Sequence, residues 1–84
     1  MTVQLVYLAR LRESLGRANE SVALSNGATV AKLLDDLRSR GGAYAAELAP
    51  GRAYRVAVNH ALAGATTTLQ EGDEVALLPP VTGG

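Results

Sequence analysis

Cysteine is absent from this 84-residue chain, and His60 and Lys32 are its only histidine and its only lysine. Without a thiol there is no disulfide, no zinc–thiolate cluster and no cysteine nucleophile. Any sulfur the protein handles has to come from outside it and be held elsewhere than on a side chain. One histidine excludes a multi-histidine metal site, and no metal is expected. No apolar run approaches the ~18 residues that a membrane span needs. The opening Met1-Thr2-Val3-Gln4-Leu5 lacks the basic start of a secretory signal. A cytoplasmic protein with no membrane partner is expected. Eight basic residues balance eight acidic ones. The basic excess of a nucleic-acid-binding face is missing, so no nucleic-acid partner is expected. There is no phosphate-binding loop and no nucleophile–base pair. Asp35-Asp36 is not a catalytic pair, because neighbours on a helix point about 100° apart. It reads as a solvated helix face, and His60 as a solvated turn residue. Arg10, Arg12 and Glu13 read as surface charges able to rim an interface.

What remains is the pattern of one small domain. Val3 to Leu8 reads as a strand with Val3, Leu5 and Tyr7 on one face and Val6 and Leu8 on the other. Arg10 to Gly16 reads as a short helical turn or loop closed by glycine, and Ser21 to Leu24 as a second strand. Thr29 is an N-cap candidate for a helix whose Val30, Leu33, Leu34 and Leu37 form one apolar stripe. Gly41-Gly42 ends that helix. A shorter helix is expected over Ala43–Leu48, then strands at Tyr54–Asn59, Leu62-Ala63 and Glu74–Leu78. Pro79-Pro80 ends the last strand because proline donates no ladder hydrogen bond. Strands gathered into one sheet with helices over one face give an α+β fold. If Val3, Leu5, Tyr7, Val56, Val58, Val75 and Leu77 face the helices, then Val6, Leu8, Ala57, Ala76 and Leu78 form an outward apolar patch of the kind that marks an interaction surface.

The chain closes on Leu78-Pro79-Pro80-Val81-Thr82-Gly83-Gly84. Two glycines pack nothing and cost much entropy to order. They offer a thin, flexible backbone strip ending in a carboxylate, able to thread a channel too narrow for a Cβ. The domain is expected over residues 1–78 and the tail over residues 79–84. The internal Gly41-Gly42 shows that the dipeptide alone means nothing, since a helix stop explains it.

Pro79-Pro80-Val81-Thr82-Gly83-Gly84 resembles, at every position, the terminal signature of the small subunits of molybdopterin synthase. These are the MoaD-type carriers of the ubiquitin-like MoaD/ThiS sulfur-carrier family. Gly72-Asp73-Glu74-Val75-Ala76, Val58-Asn59, and Arg12-Glu13 with Leu15-Gly16 fit the same family. Leu77-Leu78 stands where many relatives have aromatics, with the apolar role kept. The resemblance implies a β-grasp fold: a mixed sheet of four to five strands, covered on one face by one main helix plus a short second one. It implies that Gly84 is adenylated by an ATP-using, E1-like activating enzyme and converted to a thiocarboxylate by a desulfurase or rhodanese-type sulfur donor. The sulfur then goes to cyclic pyranopterin monophosphate to form the dithiolene of molybdopterin. It further implies a catalytic large subunit, in a heterotetramer of two small and two large subunits, and no bound cofactor. Pro79, Pro80, Val81, Thr82 and Gly83 would insert into that subunit. Leu8 and Leu78, from the outward set, and Leu62, by resemblance, would dock on it. The chain would not be an enzyme on its own. Another sulfur-carrying pathway (thiamine, cysteine or tRNA thiolation), or a role as a ubiquitin-like protein modifier, stays open.

Overall fold

Val30, Leu33, Leu34 and Leu37 are the buried stripe of helix α2, Val30–Arg38, in the computed structural model of the chain. The structure describes residues 1–52 and 54–79. Thr29 is extended, and its hydroxyl oxygen accepts the Lys32 backbone N–H at 3.3 Å, satisfying a donor that the first turn leaves open. The solvent face carries its charges as separate pairs, Lys32 with Asp36 at 2.8 Å and Arg38 with Asp35 at 2.9 Å. The chain leaves the helix through Gly41, whose φ of 76° is cheap only for glycine. Helix α3, Gly42–Glu47, follows one residue earlier than the sequence suggests.

The strands are β1 (Thr2–Tyr7), β2 (Asn19–Ala23), β3 (Arg55–Val58), β4 (Ala61–Leu62) and β5 (Glu74–Leu78). They form one mixed sheet in the order β2-β1-β5-β3-β4, with β1 and β5 parallel and the other neighbours antiparallel. Val3, Leu5, Tyr7, Val56, Val75 and Leu77 turn inward and are buried with the α2 stripe and Leu48. Val58 packs against this core half-buried. Leu33 has no exposed surface. Leu33→Ala is therefore expected to cost about 2–5 kcal/mol, a large share of the stability of a small domain. Urea denaturation checks it: the midpoint falls while the slope stays constant.

Arg10 to Gly16 proves more regular than a turn. Ala9–Leu15 is a helix, α1, that buries Leu11 and Leu15 and closes on Gly16 in the left-handed region. Its entry is concealed in the sequence, because Leu8 stands at the N-cap without a capping side chain. Leu8 is thus one residue beyond β1 rather than its last member.

The carboxylate of Glu20 on edge strand β2 gathers a polar cluster at the margin of the core. The Tyr7 hydroxyl donates to it at 3.0 Å, Arg40 lies 2.6 Å from the same oxygen, and Arg17 pairs with the other. The Arg40 guanidinium also sits 4.7 Å above the Tyr44 ring. Burial pushes the Glu20 carboxyl up, but the hydrogen bonds from Arg40 and Tyr7 and the two guanidinium charges outweigh it and hold the group below its ordinary 4.5. A depressed carboxylate contributes stability that is present above its unfolded pKa and is lost as pH falls through the folded one. Thermal melts between about pH 6 and pH 3 should show the wild-type chain losing stability on acidification more steeply than Glu20→Gln.

Candidate functional site

Period-two alternation leaves the other sheet face without helices, and the register aligns its residues into cross-strand rows. The middle row runs Asn19, Val6, Ala76, Ala57, Leu62 across all five strands. Two alanines at its centre, between valine and leucine, make the face shallow there. The next row towards the end of β5 pairs Leu78 with Arg55. Leu8 lies alongside, its N–H donating to the Leu77 carbonyl at 3.1 Å. The row on the opposite side is polar: Ser21, Gln4 and Glu74. Leu62, 66% exposed, and Leu8, 39% exposed, are the large apolar side chains most open to solvent among the described residues. Val6, Ala76 and Leu78 are half-buried and Ala57 is buried. Exposed leucines around a shallow apolar centre suit the face to cover by another protein.

The far side of this face is braced by the β3–β4 turn. Asn59 and His60 have φ of 50° and 73°, the left-handed pair of a two-residue hairpin. The Asn59 amide donates to Asp73 at 2.9 Å and accepts the Glu74 N–H at 3.0 Å. Those two hydrogen bonds tie the hairpin to the start of β5 and so fix the register of the middle row. His60 Nε2 lies 3.5 Å from Glu74, with its ring 86% exposed.

Leu8, Leu62 and Leu78 are thus brought onto one face, and Pro79 follows directly from β5. Pro80, Val81, Thr82, Gly83 and Gly84, named from the sequence as the tail and its reacting end, lie outside the described residues. Among the described residues no group of three or more His, Asp or Glu side chains stands together to hold a metal ion, and no helix is long and apolar enough to cross a membrane. Sequence reasoning places Val6, Ala57 and Ala76 in the outward apolar patch without naming them as docking residues, and it passes over Asn59 and Arg55 as parts of a site. Asn as the first residue of a two-residue turn is the legible signal for the first of these. Arg55 has none, because its place beside Leu78 depends on the register of β3 on β5.

The ThiS family model matches residues 5–84. The molybdopterin synthase sulfur carrier subunit of Mycobacterium tuberculosis is 34% identical over 83 residues, spanning 98% of this chain and 96% of that protein. The crystal structure of SAMP1 from Haloferax volcanii superposes with a TM-score of 0.81 at 28% identity, covering all of both chains. A chain of the complex of subunits 1 and 2 of the molybdopterin-converting factor of Helicobacter pylori superposes at 0.70 with 25% identity, again over all of both chains.

Proposed function

The chain belongs to the ThiS family, and from that premise we propose that it is the sulfur-carrying small subunit of a molybdopterin synthase. The observation that carries the proposal is continuity. An unpartnered apolar face, Leu8, Val6, Ala76, Leu62 and Leu78, leads through β5 into Pro79-Pro80-Val81-Thr82-Gly83-Gly84. The near full-length likeness to a sulfur carrier subunit supports the assignment of cargo.

In this reading the face is a handle and the Gly84 carboxyl is the reagent. A carboxylate is a poor electrophile and is ionised at neutral pH, with a reference pKa of about 3.3–3.7. Its oxygen attacks the α-phosphorus of ATP on an activating enzyme, and pyrophosphate leaves. The outer sulfur of a persulfide on a desulfurase or rhodanese-type donor then attacks the carbonyl carbon, and AMP leaves. A thiol reductant next attacks the donor's sulfur in the resulting acyl disulfide, and the S–S bond breaks. The donor and the thiol end as a disulfide, and the thiocarboxylate is released. The large subunit takes in the tail and directs the sulfur at cyclic pyranopterin monophosphate. Water finally frees the tail as a carboxylate. The glycines leave the carbonyl open to nucleotide and channel, and the prolines limit the freedom lost on insertion. The chain itself supplies no general acid or base and binds no cofactor, and the assembly holds two small and two large subunits.

Reconstitution tests the reading. The thiocarboxylate form, mixed with the large subunit of the same organism and the precursor, should yield the dithiolene with two carriers consumed per product. No product from a loaded chain and an active large subunit would contradict it. A second reading, protein modifier, is favoured by the superposition on SAMP1, a small archaeal modifier protein. It predicts covalent ladders with cellular proteins, and a sulfur carrier for another pathway predicts neither ladders nor dithiolene.

A further inference from the structure

Charges of opposite sign stand at the two ends of the outward face, although the chain's net charge is zero. From Glu74 at one end of β5 to Leu78 and Arg55 at the other is four residue steps, about 13 Å at ~3.3 Å per residue. Glu71 and Asp73 stand in the turn just before Glu74. Glu71 accepts the Thr2 N–H at 2.9 Å, and Asp73 accepts Asn59 and the Gln70 N–H at 2.9 and 2.8 Å. Neutral donors hold both carboxylates, so their charge stays uncompensated. No lysine or arginine pairs with any of the three among the described residues; Glu74 meets only His60, which is charged only if protonated. At the opposite end Arg10 and Arg52 share one oxygen of Glu47, at 2.8 and 3.4 Å. Arg12 and Arg55 meet no carboxylate among the described residues. Glu13, exposed on α1 next to Arg12, is the other acid on that side. The apolar row lies between the two poles.

We infer that this face fixes the orientation of its partner electrostatically. The seated protein presents carboxylates around the point where the tail enters it, basic residues at the other end, and apolar surface between. The inference rests on the proposed function and gives the large subunit's docking face its chemistry. Screening at physiological salt acts over ~8 Å, less than the separation of the poles, so the two ends behave as separate charges rather than cancelling. A partner of one sign throughout gains at one end and loses at the other. A partner with opposed poles gains at both, but only in the orientation that sends the chain beyond Pro79 to its acidic side. Docking rotated by half a turn sets like charges against like. Phosphate-rich partners, nucleic acid or an anionic membrane, are repelled by the Glu71, Asp73 and Glu74 end.

Stopped-flow association with the large subunit of the same organism, over a range of salt, tests this. Arg52→Glu with Arg55→Glu, and separately Glu71→Lys with Glu74→Lys, should each slow association about tenfold at low salt and flatten its salt dependence. Circular dichroism checks folding, and Arg55→Gln and Glu74→Gln, which are milder, should move the rate the same way by less. Faster association of the Glu71→Lys, Glu74→Lys variant would show a uniformly acidic partner and overturn the inference. So would equal rates for every variant. If the wild-type chain forms no complex at all, the proposed function falls and the inference with it; equal rates overturn the inference alone.

Discussion

A chain lengthened by one alanine after Gly84 is expected to fold and dock like the parent and to deliver almost no sulfur. An added residue moves the carboxyl carbon by about 3.5 Å along an extended backbone. A misplacement of about 1 Å in a reacting group already costs on the order of 100-fold. Sulfur transfer in single turnover should therefore fall by more than about 100-fold. Removing Gly84 should do the same, because it withdraws the carboxyl by a similar distance. The thermal midpoint should not move in either variant, since the change lies beyond the end of β5 at Leu78 and leaves the core of Val3, Leu5, Leu33, Leu37, Val75 and Leu77 unaltered. Loss of activity at constant stability separates a chemical role for the tail from a structural one. Retained transfer by the lengthened chain would show that the position of the last carboxyl does not matter.

The second large effect concerns the handle. Ala76 is the middle member of the row Val6, Ala76, Ala57 on the central strand β5. Ala76→Arg points a guanidinium out of the sheet, where the free chain can leave it in water. In a complex that covers the face, that charge is buried in apolar surroundings without a partner. Breaking or leaving unpaired a buried charge costs about 3–5 kcal/mol, and about 1.4 kcal/mol is a factor of ten in affinity. Calorimetry should show large-subunit affinity weakened at least about 100-fold, with the melt of the free chain nearly unchanged. The same substitution placed at Gln4, in the polar row, should cost far less. That contrast ties the effect to the apolar row and not to added positive charge in general.

Much of this arrangement is legible in the residues, for reasons that vary from element to element. The α2 stripe and the Thr29 cap can be read because both are local. Helical spacing and a hydroxyl before the first turn act within a few residues, and the four stripe residues are buried. Strand β5 runs over the same residues that the sequence suggests, because a turn and two prolines bracket it. Helix α1 is read only as a short helical turn or loop, because Leu8 offers no cap and Ala9 enters with φ of 49°. Packing of Leu11 and Leu15 sets that segment, and packing is not local. The outward face follows from alternation, yet its rows need the register. Nothing in the sequence alone says that Val6, Ala76, Ala57 and Leu62 stand side by side. Glu20 reads in the sequence only as part of the acidic count. Its partners Tyr7, Arg40 and Arg17 come from three separate segments, so only the fold shows that its charge is matched. The two charge poles are legible in the same limited way, since the acids are adjacent in sequence and the arginines are not.

The measurement closest to the central claim is the intact mass of the chain after incubation with its activating enzyme, ATP and a sulfur donor. The expected product is heavier than the starting chain by the difference between one sulfur and one oxygen atom, with fragmentation placing the change on Gly84. Hydrolysis should return the original mass. A chain that stays at its starting mass, beside an activating enzyme shown to release pyrophosphate with it, would contradict the account.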